Sequence, residues 1–199
     1  IRPDTVKTKD NASKPDYTDD DDDWWTPSRR KSITVTANRT GGTYRNVTVA
    51  ANGVGLKDMT VLGHLYIDEK VGNGTATLTN MNISGDVYVK GGGTNSVFFE
   101  DCKISGNIYA EKTYGDKPVG LKLDNKTAQA LKGTLYIRKN GADVIGLEKD
   151  NGTYLKQIVV DTDKLTTLDD LQADRVEIVA ANADVKITAS TIVKELYVT

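Results

Sequence analysis

A repeat of about 21 residues constrains this chain more than any other feature of it. Three segments align without gaps: Met59-Thr-Val-Leu-Gly-His-Leu-Tyr-Ile67, Met81-Asn-Ile-Ser-Gly-Asp-Val-Tyr-Val89 and Cys102-Lys-Ile-Ser-Gly-Asn-Ile-Tyr-Ala110. The second half of the pattern returns in Gly133-Thr-Leu-Tyr-Ile137 and Lys194-Glu-Leu-Tyr-Val198. Weaker copies are Arg45-Asn-Val-Thr-Val49, Lys156-Gln-Ile-Val-Val160 and Asp174-Arg-Val-Glu-Ile178. Anchored on the glycine position, the copies begin at 45, 63, 85, 106, 133, 156, 174 and 194. A unit this short cannot bury its own apolar face, so the copies must stack on one another.

Each copy alternates apolar and polar residues and is rich in β-branched side chains, which predicts a strand. A second strand precedes it in several units: Thr75–Leu78, Ser96–Phe99, Val119–Leu123 and Asp184–Ile187. Rungs of two or three short strands, joined by Gly, Asn and Asp turns, make an all-β parallel solenoid of about eight rungs. Two stretches, 125–132 and 164–172, read as short helical turns. Period-2 alternation points Leu65, Ile67, Val87, Val89, Ile108, Ala110, Leu135, Ile137, Leu196 and Val198 inward as aliphatic stacks. It points Tyr66, Tyr88, Tyr109, Tyr136 and Tyr197 outward in one column, interrupted by Val159 and Glu177, with Thr48 in the first copy.

The segments NISGDVYVKGGGTNSVFFEDCKISGNIYA and GNGTATLTNMNISGDVYV resemble the right-handed, single-stranded β-helix repeats of large cell-surface proteins of Firmicutes. The resemblance covers residues 33–199. It implies a pectate-lyase-like solenoid, right-handed, on the outside of a bacterial cell. Pectate lyases, polygalacturonases, phage tailspikes and adhesins share that fold, so it implies no single activity.

Composition narrows the chemistry. Of 199 residues, 38% are hydrophobic and only two are Phe, too few large apolar groups for an ordinary compact core but enough for a narrow one. One His and one Cys exclude a multi-Cys zinc cage, an internal disulfide, and any Ser-His or Cys-His centre not built on His64. A net charge of −2 gives no reason to expect nucleic acid as a partner. No apolar run approaches the roughly 20 residues that cross a bilayer as a helix. No cofactor is implied.

Residues 1–32 differ from the rest. They carry Pro3, Pro15 and Pro27, the run Asp19, Asp20, Asp21, Asp22 and Asp23, and the pair Trp24-Trp25, without periodicity. Like charges and little to bury predict an extended linker. Both tryptophans of the protein lie here, however, and they suit a docking arm anchored on a neighbouring surface. The five aspartates are weak Ca²⁺ candidates, because consecutive carboxylates lack the alternation of an EF-hand loop.

The tyrosine column has two readings. It is a cross-rung ladder that stabilises neighbouring strands, or a face that stacks on sugar rings or another protein. His64 aligns with Asp86, Asn107, Thr134 and Glu195, so it reads as a solvated turn position without a paired nucleophile. Cys102 aligns with Met59 and Met81 and reads as a buried small hydrophobe. Gly72-Asn73-Gly74 and Gly91-Gly92-Gly93 read as turns, since no phosphate-loop pattern or following helix accompanies them. The aspartate, Gly-His-Gly and Arg-Ile-Lys motifs of polygalacturonases are absent. Asp86, Glu100 and Asp101 are the nearest approach to a lyase-like carboxylate cluster, with no basic motif beside them. Asn-x-Ser/Thr triplets at Asn11, Asn38, Asn46, Asn73, Asn82, Asn125 and Asn151 would permit glycosylation in a suitable host.

Solenoids expose strand edges at their ends, and Leu196-Tyr-Val-Thr199 reads as stopping within a strand. Either the chain is a piece of a longer solenoid or its ends pair with further copies, head to tail. The expectation is therefore a non-catalytic extracellular scaffold that self-associates into a filament through its edges and its arm. The alternative is a polysaccharide-binding or adhesive module using the tyrosine ridge, and a polysaccharide lyase or hydrolase is the residual enzymatic possibility.

Overall fold

A computed structural model describes residues 30–148 and 152–199 as an all-β parallel solenoid of about seven turns. The aspartate run, Trp24 and Trp25 lie outside the described residues.

Three sheets form the sides of the coil. The first has nine parallel strands: Ile33–Val35, Val47–Val49, Leu65–Ile67, Val87–Val89, Ile108–Ala110, Leu135–Arg138, Thr153–Asp161, Leu171–Ile178 and Ile192–Val198. The second has eight: Arg39–Thr40, Val54–Lys57, Ala76–Thr79, Val97–Glu100, Val119–Leu123, Ala142–Gly146, Thr166–Asp169 and Val185–Ile187. The third has four, Thr43–Tyr44, Thr60–Val61, Asn82–Ile83 and Lys103–Ile104, and stops there. All eight predicted repeat sites fall in one register of the first sheet, and Ile33–Val35 adds a strand before them.

The core is columns of aliphatic side chains. Val47, Leu65, Val87, Ile108, Leu135, Ile158 and Val176 stack in register and are buried. Val54, Ala76, Val97, Leu121, Val144 and Leu168 line the second sheet, and Val61, Ile83 and Ile104 the third. Each buried Val, Leu or Ile contributes about 1.5–3 kcal/mol. The thin composition suffices because every rung offers the same few inward positions to the next. Leu196 and Val198 break the pattern: at 52% and 71% exposure they lie in the last strand, with no described rung above to cover them.

Two corners explain the turn residues. Between the second and third sheets, Asp58, Asn80 and Asp101 take left-handed backbone conformations, with φ of 55°, 50° and 53°. Asn and Asp tolerate that region better than other residues with a Cβ. Between the third and first sheets stands a column of glycines. A Cβ on Gly85 would lie 2.5 Å from the Gly63 carbonyl oxygen, and one on Gly106 2.5 Å from that of Gly85. Successive backbones pass so closely there that no side chain fits, which is why glycine anchors the repeat.

The helical turn expected at 125–132 is present as Asn125–Ala130. Asp124 caps it by accepting the Thr127 N–H at 2.8 Å, and Thr127 and Ala128 are buried. Thr127 Oγ1 accepts the Cys102 N–H at 2.9 Å, so the helix follows the last strand of the third sheet in the stack. The helical turn expected at 164–172 is not formed. Thr166–Asp169 is instead a strand of the second sheet, with Leu168 in register with Val144. Its β-branched threonines and alternating burial suit the ladder, and tertiary pairing overrides the local pattern.

Candidate functional site

The tyrosine column is continuous over four rungs. The rings of Tyr66, Tyr88, Tyr109 and Tyr136 stack at centroid separations of 5.2, 5.1 and 5.0 Å, with planes 10–11° apart. In-register pairing places the rings one rung apart and nearly parallel. The Arg138 guanidinium lies 5.0 Å from the centroids of both Tyr109 and Tyr136. Tyr197 does not join this stack, because Val159 and Glu177 occupy the intervening positions. It carries the Arg175 guanidinium over its ring at 4.0 Å instead.

Beside the tyrosines runs a second column, absent from the sequence reading. Asn46 Oδ1 accepts the backbone N–H of His64 at 2.8 Å, and His64 Nδ1 accepts that of Asp86 at 3.0 Å. Asp86 Oδ1 accepts the N–H of Asn107 at 2.8 Å, and Asn107 Oδ1 that of Thr134 at 2.9 Å. Each side chain thus satisfies a backbone donor of the next rung at the corner, where the strands bend out of ladder geometry. His64 Nδ1 also lies 3.6 Å from Asp86 Oδ2. The shorter contact, with the amide donating, makes Nδ1 an acceptor. The position is therefore a working part of the corner rather than a merely solvated turn.

The two columns are joined. Tyr88 donates to Asp86 Oδ2 at 3.3 Å, Tyr109 accepts from Asn107 Nδ2 at 3.2 Å, and Tyr197 donates to Glu195 at 3.2 Å. Burial, then the Asp86 charge, raises the Tyr88 phenol above its ordinary pKa. Ring faces, hydroxyls and carboxylate are thus engaged with one another.

The other candidates are dispersed. Asp86 belongs to the tyrosine face, whereas Asp101 sits at the left-handed corner, paired with Lys126 at 3.1 Å, and Glu100 ends a strand of the second sheet. These three carboxylates are not brought together, and among the described residues no three His, Cys, Asp or Glu side chains converge to hold a metal. Cys102 is buried as expected, and burial pushes its thiol up to about 12. Gly72-Asn73-Gly74 and Gly91-Gly92-Gly93 stack at loop positions, with the Gly92 N–H on the Gly72 carbonyl at 2.8 Å.

One surface feature has no counterpart in the sequence reading. Two adjoining depressions of about 380 and 420 Å³ run beside the helix Asn125–Ala130, where the third sheet ends. Lys103, Lys126, Lys132 and Lys156 line them, with Gln129 on the helix. The one signal for this groove is the 27-residue step between copies 106 and 133, the longest in the chain.

Comparison of the chain with protein-family models, with curated proteins and with solved structures found no match. What the site can do rests on its own geometry.

Proposed function

We propose that this chain is a non-catalytic structural scaffold of a bacterial cell surface, of the kind its repeats resemble in Firmicutes. One observation carries the reading. The side chains that look functional on the first sheet are bound to one another across rungs: stacked tyrosines, and an Asn-His-Asp-Asn column capping backbone amides. A sugar packs against an aromatic face, and the faces of Tyr88 and Tyr109 are covered by neighbouring rings. That arrangement favours a ladder over a binding ridge.

Self-association end to end extends the proposal. Ile192, Leu196 and Val198 are 47%, 52% and 71% exposed along one strand, a surface suited to a further parallel strand. The test is size-exclusion chromatography and electron microscopy of the chain with and without residues 1–32. Filaments or oligomers that shorten when Leu196 and Val198 become Asp support assembly; monomers in every case sink it.

A second reading, polysaccharide binding, is favoured by the lysine-lined groove rather than by the tyrosines. Titration with acidic and neutral cell-wall polysaccharides separates the sites. Loss of binding in Lys103→Glu/Lys132→Glu assigns the groove, and loss in Tyr88→Ala/Tyr109→Ala assigns the ridge.

A further inference from the structure

Lys112 is the one lysine among the described residues that is completely buried, at 0% exposure. Lysine is almost never fully buried without a partner charge. Here Nζ donates to Asn73 Oδ1 at 2.9 Å, a neutral carboxamide. The two residues are 39 positions apart. The backbone bonds explain how they meet. Glu111 N–H bonds to Val89 O and Lys90 N–H to Ile67 O, so Lys112 lies in the column of Gly91, one rung above it. Gly92 and Gly93 in turn bond to Gly72 and Gly74, on either side of Asn73. The Lys112 side chain reaches past a rung of three glycines to the rung below. Side chains at 91 or 93 would meet backbone: a Cβ on Gly91 would lie 2.3 Å from the Asp68 carbonyl oxygen, and one on Gly93 2.5 Å from that of Asn73.

We propose that Lys112 and Asn73 form a spontaneous intramolecular amide that staples three rungs together. The neutral amine attacks Asn73 Cγ, the carbon that bears the hydrogen-bonded Oδ1. A bond forms between Nζ and Cγ, the bond between Cγ and Nδ2 breaks, and a proton passes from Nζ to the departing nitrogen, which leaves as ammonia. No oxidant, reductant or cofactor is needed. Two features favour the step. The amine is held 2.9 Å from the oxygen of the carboxamide it attacks, which replaces a bimolecular encounter by a fixed contact. Desolvation by burial lowers the pKa of Lys112 and increases its uncharged, nucleophilic fraction. The Asp116 charge opposes that shift and the Lys117 charge adds to it. The proposal is independent of whether the rod is a scaffold or a polysaccharide binder.

The test is the intact mass of the purified full chain, followed by peptide mapping. The expected result is a mass one ammonia below that of the sequence, and one branched peptide joining the Asn73 and Lys112 segments. Lys112→Arg and Asn73→Ala each restore the full sequence mass. Circular dichroism of each variant distinguishes loss of the bond from loss of the fold. Two outcomes overturn the proposal. In one, the folded wild-type chain keeps its full mass after prolonged incubation, so the contact is a hydrogen bond only. In the other, ammonia is lost but all peptides are linear, which is succinimide formation at Asn73-Gly74 without the amine.

Discussion

The rungs before the helix Asn125–Ala130 and those after it solve the same stacking problem differently. The earlier rungs bend sharply. They have three short strands each, a glycine column at 63, 85 and 106 that Gly133 continues just past the helix, and a side-chain column capping the amides at that bend. In the later rungs the third sheet is gone and the strands of the first sheet are long: Thr153–Asp161, Leu171–Ile178 and Ile192–Val198. The glycine position there holds Lys156, Asp174 and Lys194. One strand continues through the corner there, with only the pairs Lys156–Asp174 and Asp174–Lys194 dropping out of the register, and the position carries a side chain. The tyrosine stack gives way to ion pairs and cation–π contacts, such as Lys194 with Asp174 at 2.8 Å and Arg175 over Tyr197. Sharp bends demand exact residues, and straight strands tolerate variety.

The largest test of this contrast is a charge in the core. Val87→Asp, fully buried in the central column, would leave an unpaired carboxylate among aliphatics and is expected to cost about 4 kcal/mol or abolish folding. Leu196→Asp, half exposed in the last strand, is expected to cost less than about 1 kcal/mol in the monomer. Urea unfolding monitored by circular dichroism measures both. Equal losses would mean that the last rung is as firmly packed as the middle of the rod.

The glycine column comes next. Gly85→Ala and Gly106→Ala place a methyl 2.5 Å from a backbone carbonyl that cannot move independently of its rung. Overpacking of this kind is expected to cost about 2–3 kcal/mol. Lys156→Ala, at the same repeat position in a straight strand, is expected to change stability by under about 0.5 kcal/mol. A tolerated Gly85→Ala would show that the corner relaxes, and the explanation of the repeat's anchor residue would fail.

Most of this fold was legible in the sequence for one reason: a solenoid writes the same local environment many times. Leu65, Val87, Ile108 and Leu135 announce their shared column by recurrence, with no need to foresee a long-range contact. Sequence reasoning failed where the repeat is interrupted. The stretch 164–172 has helical spacing by itself, and only Val144, one rung earlier, shows why it becomes a strand. The amide-capping column shows in the sequence as polarity alone, because Asn46, His64, Asp86 and Asn107 share an acceptor atom rather than a residue type. Lys112 lies outside the recurring pattern, and the groove shows in it only as the long step between copies 106 and 133.

That shared acceptor gives a third, smaller test. Asp86→Ala strands the Asn107 amide and frees the Tyr88 hydroxyl, and is expected to cost about 1–2 kcal/mol. His64→Asn keeps an acceptor in the column and is expected to stay within about 0.5 kcal/mol of the parent. Thermal unfolding of the pair decides the point. If His64→Asn is as damaging as Asp86→Ala, the imidazole does something that an amide oxygen cannot.

The smallest expected effect separates two aspartates of the later rungs by the sign of their pH dependence. Asp174 accepts hydrogen bonds from Lys194 and Tyr154, and these, the Lys194 contact above all, hold its carboxyl below the usual range. The folded state then binds protons less readily than the unfolded chain. Its contribution is present above the unfolded carboxylate pKa and is lost as pH falls through the folded one. Asp143 is the reverse. Burial raises its carboxyl above the usual range, so the folded state holds the proton more tightly and this residue favours folding as pH falls. Asp174→Asn should therefore weaken the fold at neutral pH and flatten its loss of stability in mild acid. Asp143→Asn should strengthen the fold slightly at neutral pH and steepen that loss. Unfolding midpoints of the two variants and the parent between neutrality and mild acid test the pair. Curves shifted in the same direction would show that the exposed Lys194–Asp174 bridge is screened away in water, leaving burial as the one electrostatic influence that reaches stability in these rungs.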